Sequence, residues 1–447
     1  MRHRFHLLAL AALGALALIA AGCGSDDDED GGGGGGTSGG TKTVSGDENV
    51  SGKLSIVGIW TGDEQKSFQA VLDKFKEKFP KVTVKYNPAG DNVPTVLGTA
   101  VEGGRPPDLA TIAQPGLIEE FQKKGAIKPM DFAKDTISAN YPPDFVKLGT
   151  IGGKLYSFVF KGANKSTVWY NVSAFKNAGV SPPKTWDEFL EAAKTLKASG
   201  TPAYSIGGGD GWTLTDLFEN IYLREAGGDK YDQLSKHEIK WTDPSVKSAL
   251  KSMGQVLGDS SNIVGGKSGA LQDDFPTSVS NVFTDKPKAA MVIEGDFVPG
   301  VVSSKTKIKP KTGYDVFAFP AIGDSTGDVV GGGDSIVMFK DSPASQALVK
   351  FLATPEAAQA WVSRGGFSSP NKSVPETAYP DEITRTTATA LADAQTFRFD
   401  MSDLAPAAFG GTPGQGEWKI LQDFLSNPNN VNGTASKLEA AAAKAFK

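Results

Sequence analysis

The chain has 447 residues, with 46 basic and 51 acidic side chains, one cysteine and three histidines. One cysteine cannot close an internal disulfide, and because His3 and His6 lie in an N-terminal segment read below as removed, His237 alone is left for a catalytic triad or a zinc site. A formal charge of −5 without a concentrated basic stretch argues against nucleic acid as a partner, and 39% apolar residues over this length provide for roughly two or three domains of about 150 residues each.

Arg2 and Arg4 form a short basic start, Leu7 to Ala21 run without a charge, and Ala20-Ala21-Gly22 precede Cys23. The apolar run of about 15 residues is short for a bilayer span, which needs about 20. It resembles a bacterial lipoprotein signal over residues 1–22, in which Cys23 is lipidated, becomes the new N-terminus and holds the protein on the outer side of the cell membrane. Residues 23–49 hold the acidic run Asp26 to Asp30 and then Gly31 to Gly36, with almost nothing apolar to bury. A flexible tether of that length has a root-mean-square reach of roughly 25 to 30 Å. The glycine run lacks the Gly-Lys-Ser/Thr ending of a phosphate loop.

Leu54 to Trp60 is a near-continuous apolar run of strand length, and Thr61-Gly62-Asp63-Glu64 turns the chain. Phe68, Val71, Leu72, Phe75 and Phe79 then recur at helical spacing up to Pro80. Val82, Val84 and Tyr86 alternate with Lys81, Thr83 and Lys85 as a second strand. A helix over 93–102, a strand over 108–113 and a helix through Leu117, Ile118 and Phe121 follow. Such β-α-β repetition predicts a parallel sheet covered by helices, with ligand bound outside the carboxyl ends of its strands. Trp60, Asp63 and Glu64 follow the first strand and Gln114 follows the third, so these four fall at that edge. Later, Phe189, Ala192, Ala193 and Leu196 share a helical face, as do Ala347, Leu348, Phe351 and Leu352.

Several segments in a fixed order resemble the extracellular solute-binding proteins of ATP-driven (ABC) importers, specifically the carbohydrate-binding branch that includes the maltose-binding protein. They are Trp60-Thr61-Gly62-Asp63, Gly104 to Leu109, Trp169-Tyr170-Asn171, Pro182-Pro183-Lys184-Thr185-Trp186-Asp187-Glu188, Ala289 to Phe297, Phe317 to Pro320, Gly331-Gly332-Gly333-Asp334, and the stretches at 397–400 and 411–416. Phe297 stands where many relatives carry tryptophan. The resemblance spans about residues 53 to 447 and implies an α/β, two-lobed periplasmic-binding-protein-like fold with a hinge and an interlobe ligand cleft. The lobes are placed at 50–160 plus 318–352 and at 161–317 plus 353–447. Implied with them are a sugar or oligosaccharide ligand, closure on that ligand, a membrane permease as partner, a monomeric state, and neither catalysis, cofactor nor metal.

A pyranose has C–H faces and a rim of hydroxyls, so its site needs aromatic plates together with carboxylates or amides. Buried hydroxyls left unpaired cost about 1 to 3 kcal/mol each. The candidate plates are Trp60, Trp212, Phe297, Phe367 and Trp418, and the candidate rim groups are Asp63, Glu64, Gln114, Asn164, Asp210, Asp296, Asp334 and Arg398. Gly207 to Trp212 is informative because its glycines permit close backbone approach while delivering an acid and an aromatic together. Trp169, Trp186, Trp241 and Trp361 are assigned to cores. Two competing classes remain open on the sequence: a lipoprotein for a non-sugar solute, and a glycoside-acting enzyme, which needs two carboxylates about 5 to 9.5 Å apart. Ferric-ion binding would want a tyrosine pair, and no adjacent pair occurs.

Overall fold

The computed structural model describes residues 49–447; the signal segment, Cys23 and nearly all of the tether lie outside the described residues. Twelve strands occur among them: β1 (Gly52–Gly58), β2 (Val82–Pro88), β3 (Leu109–Ile112), β4 (Thr150–Ile151), β5 (Lys154–Leu155), β6 (Ser157–Asn164), β7 (Thr167–Asn171), β8 (Tyr204–Ser205), β9 (Met291–Ile293), β10 (Tyr314–Ala318), β11 (Asp328–Met338) and β12 (Thr396–Phe399). β4 and β5 form a small hairpin.

The first large sheet has the order β12-β11-β3-β1-β2, with β6 also paired to β11. It is parallel across β2, β1 and β3, as the β-α-β pattern predicts, but β11 enters antiparallel to both β3 and β6. The sheet is therefore mixed, because β11 arrives from the other sheet after a long excursion and not through a local helix crossover. Both faces are covered, and the period of two sorts the residues between them. Leu54, Ile56, Ile336 and Met338 meet Phe68, Phe75, Leu348 and Trp361 on one side. Ala110, Ile112 and Val337 meet Leu97, Leu117, Ile118 and Phe121 on the other.

The second sheet has the order β10-β7-β9-β8. Val168, Tyr170, Met291 and Ile293 face the largest core, with Phe189, Leu196, Phe218 and Trp241. Trp169, Val292 and Tyr314 face Val279, Phe283 and Val302. The helix Trp186–Ala198 begins at a reciprocal capping box between Thr185 and Glu188, at the end of the Pro182 to Glu188 segment. All four tryptophans assigned to cores are buried.

Two α/β lobes are thus present, each with its own sheet and cores. The segment membership differs from the expected ranges in three places. β6 belongs to the first sheet through Asn164, not only to residue 160. Ala353, Trp361 and Phe367 pack in the core that holds Trp60, and Thr396–Phe399 pairs with β11. By contrast Met401, Phe409, Leu421 and Leu438 lie in the core of the second sheet. The tail therefore divides near Asp400, a division that helical periodicity alone does not report.

The chain passes between the sheets at Lys165-Ser166, at 319–327 and at Asp400, and these crossings are tied to one another. Lys165 N donates to Val330 O at 2.9 Å, Phe319 N to Ser166 O at 2.9 Å, and Asp400 N to Gly331 O at 2.7 Å. Ser166 Oγ accepts from Val330 N at 2.9 Å and donates to Asn220 Oδ1 at 2.5 Å. A lysine stem packs where Gly332 has no side chain: a Cβ there would fall 2.8 Å from Lys165 Cε.

Candidate functional site

A cavity of about 530 Å³ opens between the two lobes. From the first lobe it takes the residues just beyond the carboxyl ends of three parallel strands: Trp60, Asp63 and Glu64 after β1, Asp91 after β2, and Gln114 after β3. Asp63 and Glu64 sit in the first turn of the helix Gly62–Lys78, where the helix dipole favours carboxylates, and not in a loop as the Trp-Thr-Gly-Asp pattern suggested. β6 and β11 add Lys161 and Asp334, which stand directly opposite each other beside an irregularity in the strand register. The second lobe contributes Asp210, Trp212, Asp274, Phe275, Phe297 and Ser304, and the chain beyond the final crossing contributes Ser402, Asp403 and Trp418.

The aromatic wall is a trio. Trp212 lies 5.5 Å from Phe275 and 5.9 Å from Phe297 between ring centroids, and the two phenylalanines are 5.2 Å apart and edge to face. All three are only half buried, so they present apolar surface to the cavity. Trp212 opens the long helix Trp212–Ser235 immediately after Gly211, whose φ is +85°. A Cβ at Gly211 would fall 2.8 Å from the Trp418 Cβ, so only glycine lets the loop approach the helix Gly416–Ser426 this closely.

Trp60 and Trp418 border the cavity but are not exposed plates: they are 0% and 3% exposed. The Trp60 ring is covered by Phe68 at 4.6 Å and Trp361 at 4.8 Å, while its Nε1 donates to Asp334 Oδ2 at 2.6 Å. Its observed role is to aim that carboxylate. The Trp418 Nε1 and the Gln114 Oε1 are both buried without a hydrogen-bond partner among the described residues, and both residues line the cavity. A buried donor and a buried acceptor left open in this way are costly unless something else supplies the partner.

Four expected contacts lie outside the cavity wall. Asn164 donates to Thr387 O at 3.2 Å and accepts from Ser166 N at 3.0 Å, which consumes its amide in the hinge. Asp296 is buried and accepts from Ser368 Oγ; burial pushes its carboxyl up to about 6, with the Ser368 bond working the other way. Phe367 packs into the first lobe's core against Phe160 and Trp361. Arg398 pairs with Asp232 at 2.7 Å.

Sequence reasoning missed both lysines, Asp91 and Phe275. Lys161 Nζ lies 2.9 Å from Glu64 and 3.8 Å from Asp334, and 5.2 Å from the Phe297 ring centroid. Burial works against its charge, but Glu64 and Asp334 more than offset that and hold it above the usual lysine range. Lys165 Nζ lies 3.0 Å from Asp216, 2.5 Å from Asp400 and 3.9 Å from Asp403, and 5.7 Å from the Trp212 centroid. The apolar run Phe158-Val159-Phe160 before Lys161 was the available signal, since a lysine in a buried strand must have acids near it. Asp91 obeys the same strand-end rule that found Gln114. Burial pushes its carboxyl up to about 7, the charges of Asp210 and Glu64 add to this, and the Trp212 N–H opposes it. Asp210 is also raised by burial, although the Phe275 N–H donates to its Oδ2 at 2.7 Å.

Among the described residues no cluster of histidine, cysteine and carboxylate groups is arranged to hold a metal ion, and no helix is long and apolar enough to cross a membrane. The molecule is a two-lobed α/β protein with an aromatic and carboxylate-lined cavity between its lobes, the architecture of a solute receptor. Residues 60–359 match the model of the bacterial extracellular solute-binding protein family, and the chain belongs to that family. It is 31% identical over 396 residues to the osmoprotective compounds-binding protein GgtB of Synechocystis sp., covering 87% of this chain and 92% of that one. It is 31% identical over 402 residues to the alpha-glucosides-binding periplasmic protein AglE of Rhizobium meliloti, covering 87% and 86%. Among solved structures, a chitin oligosaccharide binding protein superposes with a TM-score of 0.76 at 22% identity, covering 89% of this chain and 99% of that one. The protein RafE in complex with raffinose gives 0.72 at 19%, covering 89% and 100%.

Proposed function

We propose that this protein captures a sugar or other polyhydroxylated solute between its lobes and delivers it to an ABC permease, without chemical turnover. The observation that carries this reading is the pairing of a half-buried trio, Trp212, Phe275 and Phe297, with cavity carboxylates and open polar atoms around it. Aromatic faces match the C–H patches of a pyranose, while Asp91, Asp210, Asp334, Gln114 and Trp418 offer acceptors and a donor for its hydroxyls. The AglE relative, named for alpha-glucosides, supports a glycoside as the ligand class. GgtB, named for osmoprotective compounds, supports a small polar solute. Binding proteins in both comparisons support a receptor over a glycosidase, and an assay for released reducing ends separates the two.

In this reading lobe one comprises about residues 50–164 and 328–399, and lobe two about 167–318 and 401–447. The lobes close by rotation about the three crossings. Lipid on Cys23 keeps a monomeric receptor at the outer membrane face beside its permease. Small-angle scattering with saturating ligand should give a smaller radius of gyration, and Cys23→Ser should release a binding-competent protein from membranes.

Trp212→Ala tests the site itself. It removes a large rigid face from a half-exposed position, so affinity for the cognate sugar in calorimetric titration should fall by roughly five- to hundredfold, or about 1 to 3 kcal/mol. The denaturant midpoint of the empty protein should move much less. A thermal-shift panel identifies that sugar, because ligand at 100 times its dissociation constant adds about 2.7 kcal/mol of stability. Loss of stability with unchanged affinity in Trp212→Ala would make the trio structural and sink the assignment.

A further inference from the structure

The lysines that line the interlobe cavity are already engaged. Lys161 lies 2.9 Å from Glu64 and 3.8 Å from Asp334, Lys165 lies 3.0 Å from Asp216 and 2.5 Å from Asp400, and the exposed Lys305 lends its charge to Asp63. Two cavity carboxylates have no such partner: Asp91, just beyond β2 on the first lobe, and Asp210, in the Gly207 to Trp212 loop of the second. Among the described residues no lysine or arginine pairs with either. Their compensation comes from N–H groups, that of the Trp212 side chain for Asp91 and that of the Phe275 backbone at 2.7 Å for Asp210. The charges that face them are negative, Asp210 and Glu64 for Asp91, and Asp274 for Asp210. Two carboxyls from opposite lobes therefore border one space, and no cation of the chain answers them.

We propose that the solute carries a protonated nitrogen on its hydroxylated frame, as an amino sugar, an aminocyclitol or an imino sugar does, and that Asp91 and Asp210 receive this ammonium from the two sides of the cleft. The inference rests on the reading of the cavity as a receptor for a polyhydroxylated solute, and it names a chemical feature of that solute. Charge supplies the first argument. Burial, with like charge added, pushes Asp91 up to about 7 and Asp210 above the usual carboxylate range. The empty cavity thus keeps a proton where a bound ammonium would let both acids ionise. A neutral hydroxyl brings no charge and leaves that repulsion in place.

The rest of the wall decides the form of the cation. Trp212, Phe275 and Phe297 touch one another at centroid distances of 5.2 to 5.9 Å, so no ring-lined cage opens among them for a trimethylammonium group. The nitrogen must instead carry N–H groups that reach carboxylate oxygens. The rings still accept positive charge nearby, since Lys165 Nζ lies 5.7 Å from the Trp212 centroid and Lys161 Nζ 5.2 Å from that of Phe297. Gln114 Oε1 and Trp418 Nε1 argue against a bare amine. Their side chains line the cavity, belong to residues 4% and 3% exposed, and leave these two atoms without a partner among the described residues. Trp418 also packs against the loop between Asp210 and Trp212, where a Cβ on Gly211 would fall 2.8 Å from its own. An open buried acceptor and an open buried donor on one cavity call for hydroxyls, which serve both.

The test is calorimetric titration of the full chain at pH 6.5 with glucose, galactose, maltose and trehalose, with glucosamine, galactosamine, 6-amino-6-deoxyglucose and 1-deoxynojirimycin, and with N-acetylglucosamine and choline. At least one amine should bind about tenfold or more tightly than its neutral counterpart, and N-acetylglucosamine, which has lost the charge, should gain nothing over glucose. Asp91→Asn and Asp210→Asn keep the shape, and each should cut the preference for that amine over its neutral counterpart by about tenfold or more. Affinity for the amine should rise about fivefold or more from pH 5 to pH 6.5, as the acids lose the protons that compete with it, while affinity for a neutral sugar changes less. Amines that bind no more tightly than their neutral counterparts, variants that weaken both alike, or a preference unchanged with pH would overturn the ammonium and leave the sugar reading standing. Choline binding as tight as that of the amines would place the cation on the rings and overturn the assignment to Asp91 and Asp210. Binding of no sugar, neutral or aminated, would defeat the receptor reading itself, and this inference with it.

Discussion

Lys161 and Lys165 lie four residues apart, both are largely buried, and each sits over an aromatic ring of the cavity. Their surroundings differ in the balance of charge. Lys161 faces Glu64 and Asp334, and the Glu64 side chain is 39% exposed, so water shares the load. Lys165 stands at the first crossing among Asp216, Asp400 and Asp403, none more than 8% exposed at the side chain. Glu219, Glu294 and Glu417 are buried nearby. One ammonium cannot neutralise this many acids in a medium of low polarity. The cluster resolves the conflict by keeping protons: Lys165 holds Asp400 ionised, down to about 2, while burial pushes Asp216 up to about 7 and drives Asp403, Glu219, Glu294 and Glu417 well above the carboxylate range. Both ammonium groups face the cavity, but the one whose acid partner is shared with water is less burdened than the one enclosed among buried acids, whose strength depends on pH.

The largest expected effect comes from breaking the overloaded member. Lys165→Met keeps the aliphatic bulk but strips from Asp400 the cation that pairs with it among the described residues. Removing one partner of a buried ion pair costs about 3 to 5 kcal/mol. Urea melts at pH 7 should show that loss, and at pH 5 a smaller one, because the stranded carboxyls can then take up protons. An equal loss at both values would mean that Lys165 contributes packing and not charge.

The next effect sharpens the comparison through pH. A carboxyl whose folded pKa is raised contributes stability that is complete below its unfolded value, near 4, and is lost as the pH rises through the folded value. With Asp296 at about 6 and Asp91 and Asp216 at about 7, this loss falls between about pH 4 and 7. Groups held low, such as Asp400 and Asp108, act in the opposite sense and remove stability only as the pH falls through their folded values. The empty protein should therefore be more stable at pH 5 than at pH 8. Glu417 has both carboxyl oxygens buried without a partner among the described residues. Glu417→Gln keeps the shape, never ionises and should narrow the gap between pH 5 and pH 8, raising stability at pH 8 by about 1 kcal/mol or more. A variant with the unchanged pH profile would place the titrating group elsewhere in the cluster.

What could be read in advance follows the range of the forces involved. Strand and helix periods are local, so β1 to β3 and their helices were legible, and the strand-end rule brought Trp60, Asp63, Glu64 and Gln114 to the cavity. The Gly207 to Trp212 loop also reached it, because glycines followed by an acid and an aromatic constrain geometry locally. Asn164, Asp296 and Arg398 lie outside the cavity wall for one reason: Thr387, Ser368 and Asp232, partners 72 or more positions away, draw their polar groups elsewhere. Nothing near those residues in sequence announces such partners. Phe275 was missed because its site role comes from Asp210, which anchors its backbone N–H across 65 positions. The division of the tail near Asp400 was hidden for the same reason, since a four-residue strand carries little period and owes its place to β11.

The smallest expected effect on stability comes from Lys161, whose partner Glu64 is shared with water. Lys161→Met leaves Glu64 partly hydrated and leaves Asp334 with the Trp60 indole N–H at 2.6 Å, so neither acid is stranded as Asp400 would be. A cost of about 1 kcal/mol is expected in the empty protein, within the ordinary range for a hydrogen-bonded charge with solvent access. Its effect on ligand should be the larger one. Without the ammonium, Glu64 loses the partner that holds it in the cavity wall, and the Phe297 ring loses a cation 5.2 Å from its centroid. Calorimetric titration with the cognate sugar should show a loss of at least tenfold in affinity, about 1.4 kcal/mol. The two lysines would then separate cleanly: Lys165→Met would register first in stability, and Lys161→Met first in binding. If Lys161→Met instead loses 3 kcal/mol of stability with affinity intact, Lys161 is as structural as Lys165 and the contrast between them fails.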